Sequence, residues 1–340
     1  MIVGLEGWQP EFGTLFDEWG VTWTKMAVAD TDGGGADTSI DLIEQAADAG
    51  MTVIADLRPS AEFHQALQRV TTKADADEEV NDLLARLGRG AAETVRKLNG
   101  LCDTVEWWGE YDCPYVGGFW PNKRSAYPTF LQALYDAVKD ERPEVQVWNG
   151  GYGVNFQPHF LDAICNAAPG AFDAANWHHY NISEYWPRDA EGEFMFGAPL
   201  HKRVRHSAAR FDGMFTAARE RMAEAGCTQP FVSSEWGMPV VTDEVVDMLG
   251  RIGLHSFVFQ DGVYGLGDTQ AADFFEAWMS VFEAQGFEVL IYHRLLDSMP
   301  HGPDDDGTFW GAYCGLLYAD GTPKERMVET FKRWVRKGGS

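Results

Sequence analysis

Lysine is scarce in this chain. Only nine of its 27 basic residues are lysine, set against 52 aspartates and glutamates, and the formal net charge is −25. A field of that sign repels phosphate backbones and anionic lipid surfaces, which argues against nucleic acid and membrane as partners. The acidic, lysine-poor balance suits a saline habitat, or a surface selected for solubility alone. Cysteine is thin as well. Cys102, Cys113, Cys165, Cys227 and Cys314 are odd in number and scattered, with no C-x-x-C pair. Neither a disulfide framework nor a cysteine zinc site is expected from that spacing. No apolar run approaches the ~20 residues that span a bilayer. The chain opens on Met1-Ile2-Val3-Gly4-Leu5 without a basic leader, so it is read as cytoplasmic, or as secreted after a leader was removed. Gly33-Gly34-Gly35 lacks the remainder of a phosphate-binding pattern, and Asp304-Asp305-Asp306 lacks the spaced ligands of a calcium loop. Neither a metal nor an organic cofactor is expected.

What is present is apolar and aromatic mass: 45% and 13% of 340 residues, enough for a large core. Short strand candidates recur at Ile2–Leu5, Val21–Val28, Thr52–Asp56, Val105–Glu110, Val145–Asn149, Ala174–Tyr180, Phe231–Trp236 and Val289–Leu295. Segments of helical period lie between them, at Ser39–Ala49, from Tyr127-Pro128 to Arg142-Pro143, and at Val204–Ala225, Ala271–Gln285 and Lys324–Val335. Such alternation predicts a parallel sheet, and eight strands without a change of style predict closure. The fold class is therefore α/β: a (β/α)8 barrel forming a single domain over residues 1–340, with long βα loops at 111–126, 181–202, 237–267 and 297–315. Loops of that kind at the C-terminal face of a barrel shape the site.

Two glutamates stand where an apolar run stops. Glu110 ends Val105-Glu106-Trp107-Trp108-Gly109-Glu110, and Glu235 sits in Phe231-Val232-Ser233-Ser234-Glu235-Trp236-Gly237. A carboxylate at the tip of a buried strand is misplaced for a core and well placed for a barrel mouth. These two would end strands four and seven and face each other across that mouth. Paired carboxylates are the minimum equipment for cleaving a glycosidic bond.

Around these residues the chain resembles the retaining glycoside hydrolases whose acid/base glutamate lies on strand four and whose nucleophile lies on strand seven. The motifs come nearest to family 39, the β-xylosidases and α-L-iduronidases. Trp108-Gly109-Glu110-Tyr111-Asp112 approximates W-N-E-P-[DN]. His178-His179-Tyr180 fits H-x-Y, Ser234-Glu235-Trp236-Gly237 fits the strand-seven motif, and Gly315-Leu316-Leu317 with Asp320-Gly321-Thr322-Pro323-Lys324 fits the C-terminal one. The resemblance implies a carbohydrate substrate, Glu110 as acid/base and Glu235 as nucleophile, with carboxyl groups roughly 5–5.5 Å apart. It also implies that Tyr180 donates to Glu235, that Lys25 replaces an arginine beside the nucleophile, and that His178 contacts a sugar hydroxyl. Trp108, Trp236, His293 and Trp310 complete the implied substrate-binding set. Tryptophan can stack on a sugar face; Trp120, Trp186 and Trp310 sit in loops suited to that, while some of Trp8, Trp107 and Trp177 must be core.

Two positions depart from the family pattern. Gly109 replaces the asparagine that binds the sugar 2-hydroxyl, which points to a mannose-like axial hydroxyl or a bulky C2 substituent; equal turnover of gluco- and manno-configured aryl glycosides would sink that idea. On strand eight, His293 replaces the usual tryptophan floor. Arg294 beside it either meets an acidic sugar or pairs with Asp297. Two other readings stay open. One is a carbohydrate-binding barrel without catalysis. The other is a metal-dependent hydrolase using His178, His179 and a carboxylate, against which strand one offers no H-x-H.

Overall fold

The computed structural model describes residues 1–70, 77–107, 110, 123–152, 158–180, 200–251, 257–258, 264–298 and 310–339. Eight barrel strands run along it: β1 (Ile2–Leu5), β2 (Trp23–Val28), β3 (Thr52–Leu57), β4 (Thr104–Trp107), β5 (Gln146–Asn149), β6 (Ala175–His179), β7 (Phe231–Trp236) and β8 (Phe287–Tyr292). The helices between them are α1 (Gly13–Trp19), α2 (Asp37–Asp48), α3 (Ala61–Val70), α4 (Asp77–Lys97), α5 (Lys123–Glu141), α6 (Pro158–Ala167), α7 (Leu200–Glu224), α8 (Asp243–Gly250), α9 (Asp268–Ala284) and α10 (Glu325–Gly338). No described helix is long and apolar enough to cross a membrane.

All barrel pairings are parallel. Hydrogen bonds join the strands as two four-stranded halves, β2-β3-β4-β5 and β6-β7-β8-β1. Isolated parallel bridges, Trp148 with Ala174 and Tyr152 with Trp177, carry β5 across to β6. At the other seam, β1 lies against β2. There Gly4 leaves room for the neighbouring backbone: a Cβ on it would stand 2.6 Å from the Trp23 carbonyl oxygen.

The period-two alternation of a strand sorts the apolar residues into two layers. Ile54, Trp148, Ala174, Val232, Val289 and Ile291, with Ile2 and Trp23, fill the barrel interior. Leu5, Val53, Val105, Leu290 and Tyr292 face outward into the larger layer beneath the helices. In α10 the buried Met327, Val328, Phe331, Trp334 and Val335 recur at helical spacing. Glu325 in its first turn and Arg336 and Lys337 in its last complement the helix dipole.

Two expectations change. The helix predicted from Tyr127-Pro128 begins earlier, at Lys123, and carries Pro128 inside it. Tyr127 is buried, its hydroxyl donating to the Trp107 carbonyl at 3.0 Å and accepting from the Gly150 N–H at 2.8 Å. The 237–267 segment is not a bare loop. It holds α8 and three short strands, Val240–Val241, Phe257–Val258 and Tyr264–Gly267, which pair as a small separate sheet.

Candidate active site

Above the apolar filling, at the C-terminal end of the strands, the inward positions turn polar. Lys25 on β2, Asp56 on β3, Glu106 on β4, Asn176 and His178 on β6 and Ser234 on β7 are all buried. Buried polar groups need partners, and here side chains supply them across strands. Asn149 Oδ1 accepts the Asn176 N–H at 2.9 Å, Asn176 Nδ2 donates to Ser234 Oγ at 2.8 Å, and the Ser234 N–H donates to Asn176 Oδ1 at 2.9 Å. This stitches β5, β6 and β7 together beneath the mouth.

Glu235 reaches that mouth through a bulge. Asn176 and His178 on β6 pair with Val232 and Glu235, and Leu290 and Tyr292 on β8 pair with Ser233 and Trp236. Strand β7 thus carries an extra residue between them. Strict alternation from Val232 would send Ser234 and Trp236 inward and Glu235 outward. The bulge brings both Ser234 and Glu235 inward and turns Trp236 out, a re-aiming that bulges beside functional sites commonly provide.

Glu110 is placed by its backbone. It has φ +58°, one of two non-glycine residues in the left-handed region among those described, and its N–H donates to the Gly151 carbonyl at 2.7 Å. Such a conformation costs roughly 1–2 kcal/mol for an L-residue and persists where surroundings enforce it. Gly151 serves the site a second way, because a Cβ there would lie 1.9 Å from His178 Cδ2.

The resulting cluster is dense in charge. Lys25 Nζ donates to Glu235 Oε2 at 2.9 Å and stands 3.5 Å from Glu106 Oε2. Tyr180 donates its hydroxyl to Glu235 Oε1. His178 Nε2 lies 2.9 Å from Glu106 Oε1 and 2.9 Å from Ser234 Oγ. Its Nδ1 lies 3.4 Å from Glu110 Oε1 and 3.7 Å from Glu235 Oε2. One donor atom from each of Glu110, His178 and Glu235 can be chosen so that all three lie within 4.8 Å of one another. On the far side of Glu235, His293 Nδ1 is 2.7 Å from Glu6 Oε2 and 3.9 Å from Glu235 Oε1. The side chains of Glu110 and Glu235 keep 13% and 15% exposure, so both remain reachable.

Burial pushes the Glu235 carboxyl up, but Lys25, then His178 and His293, outweigh it and hold the group well below the usual carboxylate range. The same contest leaves Glu106 at about 2, through Lys25 and His178. Burial and Lys25 both oppose charge on His178; Glu235 and Glu106 overcome them and raise it to about 10. Burial also opposes charge on His293, and Glu6 and Glu235 nonetheless raise it.

Of the site residues picked from sequence, the structure gathers Lys25, Glu110, His178, Tyr180, Glu235 and His293 at one mouth. Trp236 does not belong there. It is fully buried beneath the helices against Phe275, Phe282 and Tyr292 and has no face to offer a sugar. Trp8, Trp107 and Trp177 are core. Trp108, Gly109, Trp120 and Trp186, and the side chain of Trp310, lie outside the described residues. His178 was expected to touch a sugar hydroxyl; it is 2% exposed and sits between carboxylates instead. His179 points the other way, packed on Phe211 and Phe215, where burial lowers it to about 3. A metal held jointly by His178 and His179 is therefore geometrically closed. Arg294 donates through Nε to the Leu296 carbonyl at 2.9 Å, while Asp297 is held by buried Lys324 at 2.8 Å.

Sequence reasoning missed Glu6 and Glu106. The rule that found Glu110, a carboxylate directly after an apolar strand, applies equally to Glu6 after Leu5. Glu106 shows a different sign: a charge at an inward position within an apolar strand, as Lys25 does on β2.

No protein-family model matches the chain, and no curated protein matches it in sequence. Solved structures do match. An exo-β-1,4-mannosidase from an Opitutaceae bacterium, strain TAV5, aligns at TM-score 0.60 and 12% identity over 99% of this chain; the chain spans only 60% of that protein. A family 5 broad-specificity endoglucanase from Clostridium acetobutylicum aligns at TM-score 0.62 and 11% identity, covering 98% of this chain and 97% of its own. A glucosidase from Croceicoccus marinus aligns at TM-score 0.64 and 13% identity, covering 99% and 67%. These neighbours give no support to family 39 in particular. At such identities the likeness is one of architecture, and the chain has the (β/α)8 barrel fold that these glycoside hydrolases share.

Proposed function

We propose that this protein is a retaining glycoside hydrolase acting on a carbohydrate, with Glu235 as nucleophile and Glu110 as acid/base. The observation that carries the reading is the placement of two reachable carboxylates from the ends of β4 and β7, with oxygens within 4.8 Å of each other. Carboxyl groups stand about 6.5–9.5 Å apart in an inverting pair, to admit a water between sugar and base, and about 5–5.5 Å apart in a retaining pair; the near approach of these oxygens favours the closer arrangement. The asymmetry of their surroundings supports the assignment. Glu235 receives Lys25 and the Tyr180 hydroxyl and is held as a carboxylate, the state in which it can attack an anomeric carbon. Glu110 receives neither. In the first step Glu235 displaces the aglycone while Glu110 gives its proton to the leaving oxygen; in the second, Glu110 takes a proton from water as water releases the sugar from Glu235. The glycosidases among the structural neighbours agree with this reading. The sugar class stays with the strand-four and strand-eight departures: Gly109 favours a mannose-like or C2-substituted ring, and His293 with Glu6 makes a polar floor where an aromatic one is usual.

The test is covalent capture. Activated 2-deoxy-2-fluoroglycosides of gluco, manno, galacto, xylo and uronic configuration are incubated with the protein, and the intact mass and labelled peptide are read. One glycosyl group on Glu235, with azide rescuing Glu235→Gly, is the expected result. No label and no turnover, with sugars still binding in calorimetry, would refute the reading in favour of a binding barrel.

A further inference from the structure

Glu106 has no part in the double displacement, yet it contacts Lys25 and His178, the two groups that stand beside Glu235. It is wholly buried, accepts the Gly151 N–H at 3.1 Å through Oε1, and meets His178 Nε2 through the same oxygen at 2.9 Å. Its Oε2 faces Lys25 Nζ. His178 therefore has carboxylate oxygen on both sides, Glu106 at Nε2 and Glu110 and Glu235 at Nδ1, and these must outweigh the Lys25 ammonium, which stands 3.3 Å from Nε2. A neutral imidazole has one N–H, and serves one such side as donor; an imidazolium serves both.

We propose that Glu106 is a positioning residue which keeps His178 as an imidazolium aimed at Glu110 and Glu235, so that the cation follows the negative charge as it passes between those glutamates during turnover. The proposal rests on the retaining mechanism for its kinetic meaning, though not for its chemistry. In the free protein Lys25 and His178 are balanced by Glu106 and Glu235. Once Glu235 is an ester its charge is gone, and one uncompensated positive charge faces Glu110 as it must act as base. Nδ1 stands almost equally near both carboxylates, 3.4 and 3.7 Å, so a small tilt of the ring serves either.

The other charged groups facing the cluster do not replace Glu106. Asp56 on β3 is engaged by Arg58 at 2.6 Å. Glu6 just past β1 is engaged by His293 just past β8, and Tyr180 just past β6 is committed to Glu235.

Nitrogen-15 labelling of the nine histidines allows the His178 ring to be titrated directly, its signal assigned by loss in His178→Asn. The wild type should stay doubly protonated well above the ordinary histidine value of 6.5. Glu106→Gln, which keeps the shape and removes the charge, should lower the midpoint by about one to three pH units, and Glu106→Asp should restore most of it. In Glu106→Gln, turnover of a dinitrophenyl glycoside, limited by release of the sugar from Glu235, should then fall off as His178 loses its proton. A wild-type His178 that titrates near its ordinary value overturns the proposal, and this needs no variant to fold. So does a midpoint unchanged in Glu106→Gln. Absence of a labelled Glu235 would sink the glycosidase reading while leaving the His178 titration to be judged separately.

Discussion

Replacing Lys25 by methionine asks how much of the charge on Glu235, the proposed nucleophile, depends on one ammonium. Nζ lies 2.9 Å from Glu235 Oε2, and the lysine is buried. Coulomb's law with an effective dielectric of about 20 gives roughly 6 kcal/mol of raw attraction at that range. Most of it offsets the cost of stripping water from two ions, so the useful figure is the loss on breaking a buried pair, about 3–5 kcal/mol. Methionine keeps the apolar stem and leaves Glu235 and Glu106 without their shared cation. The Glu235 carboxyl should then rise by about one to three pH units. Because its folded-state pKa lies below the ordinary 4.5, Glu235 contributes stability above that pH and loses it as the pH falls through the folded value. Raising the folded pKa narrows that window from the acid side. The acid limb of kcat/KM on an activated glycoside should move upward by the same shift, and chemical denaturation at neutral pH should show the lost stability. Adding Glu235→Gln to Lys25→Met should recover part of it, since one orphaned charge is removed. An unmoved acid limb, or a double variant no more stable than the single one, refutes the reasoning.

Three further substitutions test separate parts of the structure. Gly151→Ala places a methyl 1.9 Å from His178 Cδ2; it should destabilise by about 1–3 kcal/mol and displace the His178 ring signal in NMR. Trp236→Ala should cost about 3–5 kcal/mol in denaturation as a core deletion, while KM for any substrate stays near wild type in the fraction that remains folded. Glu110→Gly relieves a left-handed residue and should raise unfolding stability by about 1 kcal/mol while abolishing turnover of unactivated glycosides.

Much of this was legible in the sequence. The eight strands lie where short apolar runs put them, because strands covered on both faces read as continuous hydrophobic segments. The two mouth glutamates, Glu110 and Glu235, were found as charges interrupting that pattern at strand ends. Glu106 escaped because it lies inside the run, between Val105 and Trp107, where only the three-dimensional pairing with Lys25 and His178 explains a buried carboxylate. Trp236 was misjudged for a different reason. The family resemblance alone placed it at the site, and the extra residue in β7 that turns it outward has no signature in Ser233-Ser234-Glu235. The paired histidines were separable in principle, since neighbours on a strand face opposite ways; His178 and His179 follow that rule.

The division of the strands into two hydrogen-bonded halves gives the polar cluster a second duty. Lys25, Glu106 and Glu110 belong to the half built on β2–β5, whereas His178, Tyr180, Glu235, His293 and Glu6 belong to the half built on β6–β1. The bonds from Lys25 to Glu235 and from His178 to Glu106 are therefore rivets across a joint as well as parts of the proposed active site. Whatever slackens the joint also moves Glu110 away from Glu235. In this protein, a change that loosens assembly and a change that detunes reactivity will tend to be the same change.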